Sequence, residues 1–360
     1  MPTWPFLPHK IDNELLSSFL VRTSHQYGTT AYSFCSHHFG TKTAIWNRDI
    51  DRSAPKSLIQ RISDFSALSC KSVEKMTLRK YELTTCLTGS AHSPIQGFAP
   101  WINAIGVYHR DRKRFGLQYC PKCLQESPGF LKSWRLSFVT ICQSHQLGLL
   151  DRCPECRAPV IPHRNHMHTL NCHNCNFRLD RAPGSLLGKT SQMHSLINFQ
   201  NKLFKALHGL PVNIGRQEIP GRDVLAGAHI LLSALRQKRC SKYSQLDDAG
   251  VGAIELSDTS ERMTVLLFMD SLLEGWPQSF RDLSRQVCLD QKPFSNHSSI
   301  PNWIDIEIKR LPIYSRKHRT RIKRSRSPLE ELRSLQRRKP PGWRSQRASI
   351  LMELAGKYGH

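Results

Sequence analysis

Four short pairs of metal-binding side chains follow one another through the middle of the chain: Cys120-x-x-Cys123, Cys142-x-x-His145, Cys153-x-x-Cys156 and Cys172-x-x-Cys175. A two-residue spacer lets a tight turn aim both side chains at one ion, and two such turns complete the tetrahedron that zinc accepts. Eight donors therefore predict two closed sites holding two structural zinc ions (Zn2+), with no open position for water or substrate. Sequence order gives Cys120, Cys123, Cys142 and His145 to one ion, with 18 residues between its knuckles. It gives Cys153, Cys156, Cys172 and Cys175 to the other, with 15 residues between. Both gaps suit zinc ribbons, in which each knuckle tips a short hairpin. An interleaved, RING-like cross-brace would join the first pair to the third and the second to the fourth, but the seven residues between His145 and Cys153 are too many for that pattern.

The chain has 12 cysteines, and the start from Met1 to Glu14 lacks the charged-then-apolar order of an export signal. Thiolates in a reducing cytosol are therefore expected rather than disulfides. Cys35, Cys70, Cys86, Cys240 and Cys288 read as small buried hydrophobes. Near the second site, His163, His166, His168 and His173 are not needed as ligands and read as surface or DNA-facing side chains. The run Asn171-Cys172-His173-Asn174-Cys175-Asn176 faintly resembles the His-Asn core of a nuclease. Catalysis would need open carboxylate or imidazole ligands and a base, yet the only acids between Phe115 and Leu179 are Glu126, Asp151 and Glu155. No catalytic site is expected, so the chain reads as a binding protein and not an enzyme.

Helical spacing of apolar residues surrounds this module. Leu15, Leu16, Phe19, Leu20 and Thr23 form one face of a helix that Asp12 would cap and that ends near Gly28. Similar patterns at Ser57 to Ile62 and Val73 to Leu83 make an N-terminal helical domain, either helix-turn-helix-like or a plain bundle. After a Gly-, Ser- and Pro-rich stretch at 88 to 100 and the cysteine-rich module, helices are predicted from Leu196 to Leu207, closed by Gly209, from Asp223 to Arg239, and from Glu261 to Glu274 behind Asp258. The expected fold is mainly α with small β zinc ribbons. Its order is an N-terminal helix-turn-helix-like domain over 1–100, two tandem zinc-ribbon motifs over 101–182, a helical C-terminal domain over 183–308 and a basic tail over 309–360.

The charge balance names the partner class. With 52 Lys plus Arg against 28 Asp plus Glu, the net charge is +24 and calls for a polyanion. From Lys309 to Arg347 there are 15 Lys or Arg and two acids, a local net of +13. In that tail Arg316, Lys317, Arg319, Arg321, Lys323, Arg324 and Arg326 are the candidate phosphate contacts, which position a protein without specifying sequence. No apolar run approaches the roughly 18 residues that would suggest a membrane span, so DNA is the expected partner and no membrane is.

Several motifs together resemble a known family. They are Pro8-x3-Asp12-Asn13-Glu14-Leu15-x2-Ser18-Phe19-x2-Arg22 closing at Tyr27-Gly28, then Tyr119-Cys120-Pro121-Lys122-Cys123-Leu124, Trp134-Arg135 and Cys142-Gln143-Ser144-His145-Gln146-Leu147, then Cys153-Pro154-Glu155-Cys156 and the last knuckle at Cys172 and Cys175, and finally Gly275-Trp276-Pro277-Gln278-Ser279-Phe280. Spanning about residues 5 to 285, they resemble the TniQ/TnsD family of transposition target-selection proteins. The resemblance implies a bacterial, cytoplasmic, nucleoid-associated adaptor that binds target DNA or rides on a CRISPR Cascade-type complex with guide RNA. It also implies recruitment of an AAA+ ATPase regulator, and some members act as a homodimer. Within it, Trp134 and Trp276 are expected to be core aromatics, and Arg22 to tie the N-terminal helices together. Rival readings are a zinc-ribbon transcription regulator and a RING-like ubiquitin ligase.

Overall fold

The structure, a computed structural model, describes residues 3–85, 99–109, 111–165, 168–184, 190–237 and 252–313. The candidate contacts Arg316, Lys317, Arg319, Arg321, Lys323, Arg324 and Arg326 lie outside the described residues, as do Cys86, His166 and Cys240.

The N-terminal helices are α1 (Leu16–Gln26), α2 (Ala31–Phe39), α3 (Ile50–Ser53), α4 (Lys56–Ser66), α5 (Cys70–Lys75) and α6 (Arg79–Thr85). Two begin on hydroxyl caps: Ser33 N donates to Thr30 Oγ1 at 3.1 Å, and Ser72 N to Ser69 Oγ at 3.2 Å. They enclose a first core of Phe19, Phe34, Phe39, Trp46, Ile62 and Phe65, closed by Trp4 stacked on Phe65 at 5.5 Å. Similar spacing is expected to bury one face of α1; in fact Leu16 through Ser24 are all buried. The helix lies between two cores, with Leu15 just before it in one and Leu16, Phe19 and Leu20 in the other.

Asp12 does not cap α1. Its carboxylate is exposed and pairs with Lys10, while Leu15 occupies the N-cap position with no side-chain cap. The segment ahead of the helix is committed elsewhere: Leu15 N donates to Phe130 O at 2.9 Å, Lys132 N donates to Asn13 O at 2.7 Å, and Glu14 bridges Leu131. Strand-like pairing delays the helix to Leu16.

The second core runs from the cysteine-rich region into the C-terminal half without a break. It takes in Trp101, Tyr119, Phe130, Phe138, Leu179, Leu196, Phe199, Leu231, Leu273 and Trp303. Its elements are β1 (Val107–Tyr108) paired with β2 (Asp111–Arg112), α7 (Pro121–Glu126), β3 (Ile141–Cys142) paired with β4 (Leu147–Gly148), α8 (Thr190–Leu207), β5 (Val212–Ile214) paired with β6 (Gln217–Ile219), α9 (Gly221–Leu235), α10 (Thr259–Glu274), α11 (Gln278–Gln286) and α12 (Asn302–Ile308). All three strand pairs are antiparallel.

Gly209 follows α8 at φ +80°, as its C-terminal position requires. Asp258 does cap α10, accepting from Glu261 N at 2.9 Å. The start of α9 lies two residues ahead of the expected Asp223, because Pro220 fixes the N-terminal turn. Trp134 and Trp276 are both core aromatics, and Trp276 packs on Phe280 and Trp303 at 5.2 and 4.9 Å. Gly215 makes the adjacent β5–β6 turn at φ +57°, where a Cβ would sit 2.3 Å from the Trp276 carbonyl oxygen. One side chain stitches the halves together: buried Gln200 on α8 accepts from Thr140 N and Ile141 N and donates to Ile141 O at 3.1 Å. Among the described residues no helix is long and apolar enough to cross a membrane.

Candidate metal centres

Each cysteine pair is seated by backbone geometry. Cys120 ends an extended segment, and Pro121 starts α7 where a missing N–H costs nothing. Cys123 follows on the first turn, with Leu124 N donating to Cys120 O at 3.1 Å. The other three pairs sit on reverse turns that share one signature. Gln146, Arg157 and Asn176, each just after the second donor, have φ of 51°, 58° and 64°. Their N–H groups return to the carbonyls of Cys142, Cys153 and Cys172 at 2.8, 3.0 and 2.9 Å. Flanking antiparallel pairing, Cys142 with Leu147, Arg152 with Pro159 and Asn171 with Arg178, makes these three pairs hairpin tips. The first pair differs from the ribbon expectation, because a helix and not a hairpin presents it.

Two four-donor groups result: Cys120, Cys123, Cys142 and His145, and then Cys153, Cys156, Cys172 and Cys175. Within each group the donor atoms lie within 4.8 Å of one another. Cys123 Sγ is 3.5 Å from Cys142 Sγ, and His145 Nδ1 is 3.6, 3.3 and 3.5 Å from the sulfurs of Cys120, Cys123 and Cys142. In the second group Cys153 and Cys175 are 3.6 Å apart, and Cys156 and Cys172 are 3.5 Å apart. A disulfide needs about 2.0 Å. Zinc bonds of about 2.3 Å to sulfur and about 2.0–2.1 Å to nitrogen place tetrahedral ligand atoms about 3.5–3.8 Å apart. Both donor sets fit a metal ion of that kind. Bound there, the ion would supply a cross-link between turns, since four protein ligands leave no place for a reacting water.

An outer carboxylate supports the first group. Glu126 Oε1 lies 2.9 Å from His145 Nε2, so Nε2–H donates there, and a metal-bound neutral ring would turn its Nδ1 lone pair to the ion among the sulfurs. Hydrogen bonds from the Cys120 and Cys123 thiols hold the Cys142 thiol well below its ordinary value, while those two thiols are pushed up in turn. Glu126 follows Cys123 by one helical turn, a spacing that could have marked it as a partner of the site.

The other two acids between Phe115 and Leu179 differ in setting. Asp151 accepts from Thr259 N at 2.9 Å and from Thr259 Oγ1 at 3.1 Å, holding the start of α10, whereas Glu155 is exposed. Of the histidines, His168 is exposed and His173 half-buried, but His163 is buried and stacked on Trp46 at 4.6 Å rather than facing outward. Stacking on an aromatic core places it inside. Cys35 is buried as expected, while Cys70 is half-buried and Cys288 exposed. Cys70 starts a short helix beside Gln60, and Cys288 follows α11 at φ 50°.

Conspicuous polar residues of the N-terminal motif point inward. Arg22 donates to Glu14 Oε2 at 2.8 Å and to His9 O at 2.7 Å, and Ser18 Oγ joins Glu14 Oε1 to Phe130 N. Desolvation raises the Glu14 carboxyl above its ordinary value, with Arg22 opposing. Arg135, fully buried, donates to Asp49 Oδ2 at 2.6 Å and to Asn103 O at 2.9 Å. Asp51 beside it accepts from Ser17 N and Oγ, both at 2.8 Å. Arg22, expected to tie the N-terminal helices together, instead ties α1 to the segment ahead of it. The Asp49–Asp51–Arg135 cluster escapes sequence reading because Arg135 lies too far along the chain from the two acids for any spacing rule.

The family resemblance is tested by comparison with known proteins. No curated protein matches the chain. A family model does match, described as TniQ, over residues 5–149. The match covers the Glu14–Arg22 pair, α1 to α7, the Arg135 cluster and the whole first donor set, and it ends before the second set begins. Residues 5–149 of the chain are thus similar to the TniQ family model, a family associated with transposition.

Proposed function

We propose that this protein is a TniQ/TnsD-like targeting adaptor for DNA transposition, with no catalytic site of its own. In this reading it engages target DNA, or an RNA-guided CRISPR Cascade-type complex, and recruits an AAA+ ATPase regulator. The single observation behind it is the TniQ match over residues 5–149, which encloses one complete four-donor set. Two structural zinc ions would stiffen the surfaces that meet those partners, with the N-terminal helices as a helix-turn-helix-like unit and the turns of the second set as a ribbon. The basic tail from Arg316 to Arg326 would add phosphate contacts, and a homodimer is compatible with the role.

A zinc-ribbon transcription regulator shares the zinc and the DNA but not the ATPase. The RING-like reading is disfavoured, because the first pair meets the second and the third meets the fourth, with no cross-brace. The deciding experiment is affinity purification of the tagged full chain with an AAA+ transposition ATPase, with ATP present. Retention of the ATPase, together with targeted insertion in a reconstituted transposition reaction, is expected. Failure to retain it, with DNA binding intact, would favour the regulator.

A further inference from the structure

The β1–β2 hairpin, beside the second donor set, presents an exposed, basic and aromatic surface. Tyr108 is 62% exposed at its tip, with His109 edge-on at 4.4 Å and φ 45°. Lys113 and Arg114 follow β2 and are both exposed, and Arg164 reaches the hairpin from the loop between the knuckles of the second donor set. One carboxylate organises two of these cations: Asp111 lies 2.8 Å from Lys113 Nζ and 3.4 Å from Arg164. A single acid between three basic side chains leaves net positive charge facing solvent. Gly106, at φ +57°, lets the Arg114 side chain run along the base of the hairpin, where a Cβ would sit 2.7 Å from Arg114 Cγ.

The hairpin is held stiffly. Arg112 on β2 turns inward and is 6% exposed, in the field of Asp51 and Asp49. Lys113 N and Arg114 N donate to Gly106 O and Ile105 O at 2.9 and 3.3 Å. A two-stranded antiparallel ribbon is narrow enough for the major groove of B-DNA, which is about 12 Å wide. Exposed cations at its flanks suit the phosphates that line that groove.

We infer that the β1–β2 ribbon is a duplex-DNA contact that enters the major groove with Tyr108 at its tip, while Lys113, Arg114 and Arg164 meet the backbone phosphates. The inference rests on the DNA-engaging reading above and adds to it a surface separate from the basic tail. Asp111 holds Lys113 and Arg164 side by side, so their charges arrive as a pair.

The test uses the full chain and a short mixed-sequence DNA duplex, with fluorescence anisotropy across a salt series. The triple variant Lys113→Gln, Arg114→Gln, Arg164→Gln is compared with a charge-matched control, Lys205→Gln, Arg216→Gln, Arg222→Gln, at exposed positions of the C-terminal half. Loss of three phosphate contacts is expected to lower the slope of log K against log salt by about 3 and affinity by roughly tenfold. The control is expected to change neither. Tyr108→Ala is expected to weaken binding by about fivefold or less with the slope unchanged, since the lost contact is uncharged. Circular dichroism and zinc content check folding, and Arg114→Gln alone, with an expected slope change of about 1, replaces the triple if that variant misfolds. Equal effects of the two triples, no effect of the hairpin triple, or an effect on a single strand but not on the duplex would overturn the inference while leaving the adaptor reading intact. Absence of any DNA binding by the wild-type chain would overturn the ribbon contact and remove direct DNA engagement from the proposed function.

Discussion

The two donor sets are built from the same chemistry but are attached to the molecule differently. In the first, Cys120 and Cys142 are buried, a helix presents one pair, and Glu126 and the Gln200-bound hairpin brace the other. In the second, Cys153 and Cys172 are likewise buried, but Cys175 is exposed, both turns are hairpins, and flanking pairing is reduced to single bridges. Only the first falls within the TniQ match. Equal ligand count therefore does not mean equal structural weight: each set roots two buried cysteines in the main core, but only the second turns a donor to solvent at its margin.

The largest effect should come from removing a donor. Structural zinc contributes about 10–16 kcal/mol in small modules, comparable with the about 5–15 kcal/mol net stability of a whole domain. Cys120→Ser is expected to leave little soluble protein. Cys175→Ser should keep the helical core and one equivalent of zinc. Elemental analysis with circular dichroism measures both, and matching losses in the two variants would erase the contrast drawn above.

Next comes the ion-pair support of each region. Arg135→Ala strands Asp49 beside buried Asp51 and should cost about 3–5 kcal/mol in denaturant unfolding. Arg178→Ala, which breaks a pair with Asp180 near the second set, should leave the melting temperature close to wild type, because the arginine is solvated. A large loss for Arg178→Ala would show the margin to be as tightly integrated as the core.

Glu126→Gln probes the outer carboxylate. Zinc affinity of the first site should fall by about 10- to 100-fold, with the second site unchanged, as read by competition with a chromophoric chelator. Smallest of all are the left-handed turn residues. Gln146→Gly and Arg157→Gly should each raise stability by about 0.5 kcal/mol, relief of backbone strain being partly offset by the freedom of glycine in the unfolded chain. A loss in either variant would mean that the side chain matters more than the turn.

How much of this was legible in the sequence follows from distance along the chain. Cys120 to Cys175 could be grouped in advance because a local spacer fixes each pair and sequence order fixes the partners. Helices behind a clear stop, such as Gly209 after α8, or a clear start, such as Asp258 before α10, were also readable. Asp12 misled because a cap rule is local, whereas Asn13 to Leu15 are claimed by Phe130 to Lys132 more than a hundred residues away. His163 misled in the same way: nothing near it announces Trp46. The Arg135 cluster and the shared core beyond residue 182 arise from packing between distant segments, for which periodicity carries no signal.

Gln200 has a consequence beyond joining two halves. Its amide supplies both the acceptor and the donor that a neighbouring strand would offer to Thr140 and Ile141. That border of the β3–β4 hairpin is already saturated, so a second polypeptide finds no template there for strand addition. One side chain thereby completes the hydrogen bonding of a short, buried ribbon without extending the sheet.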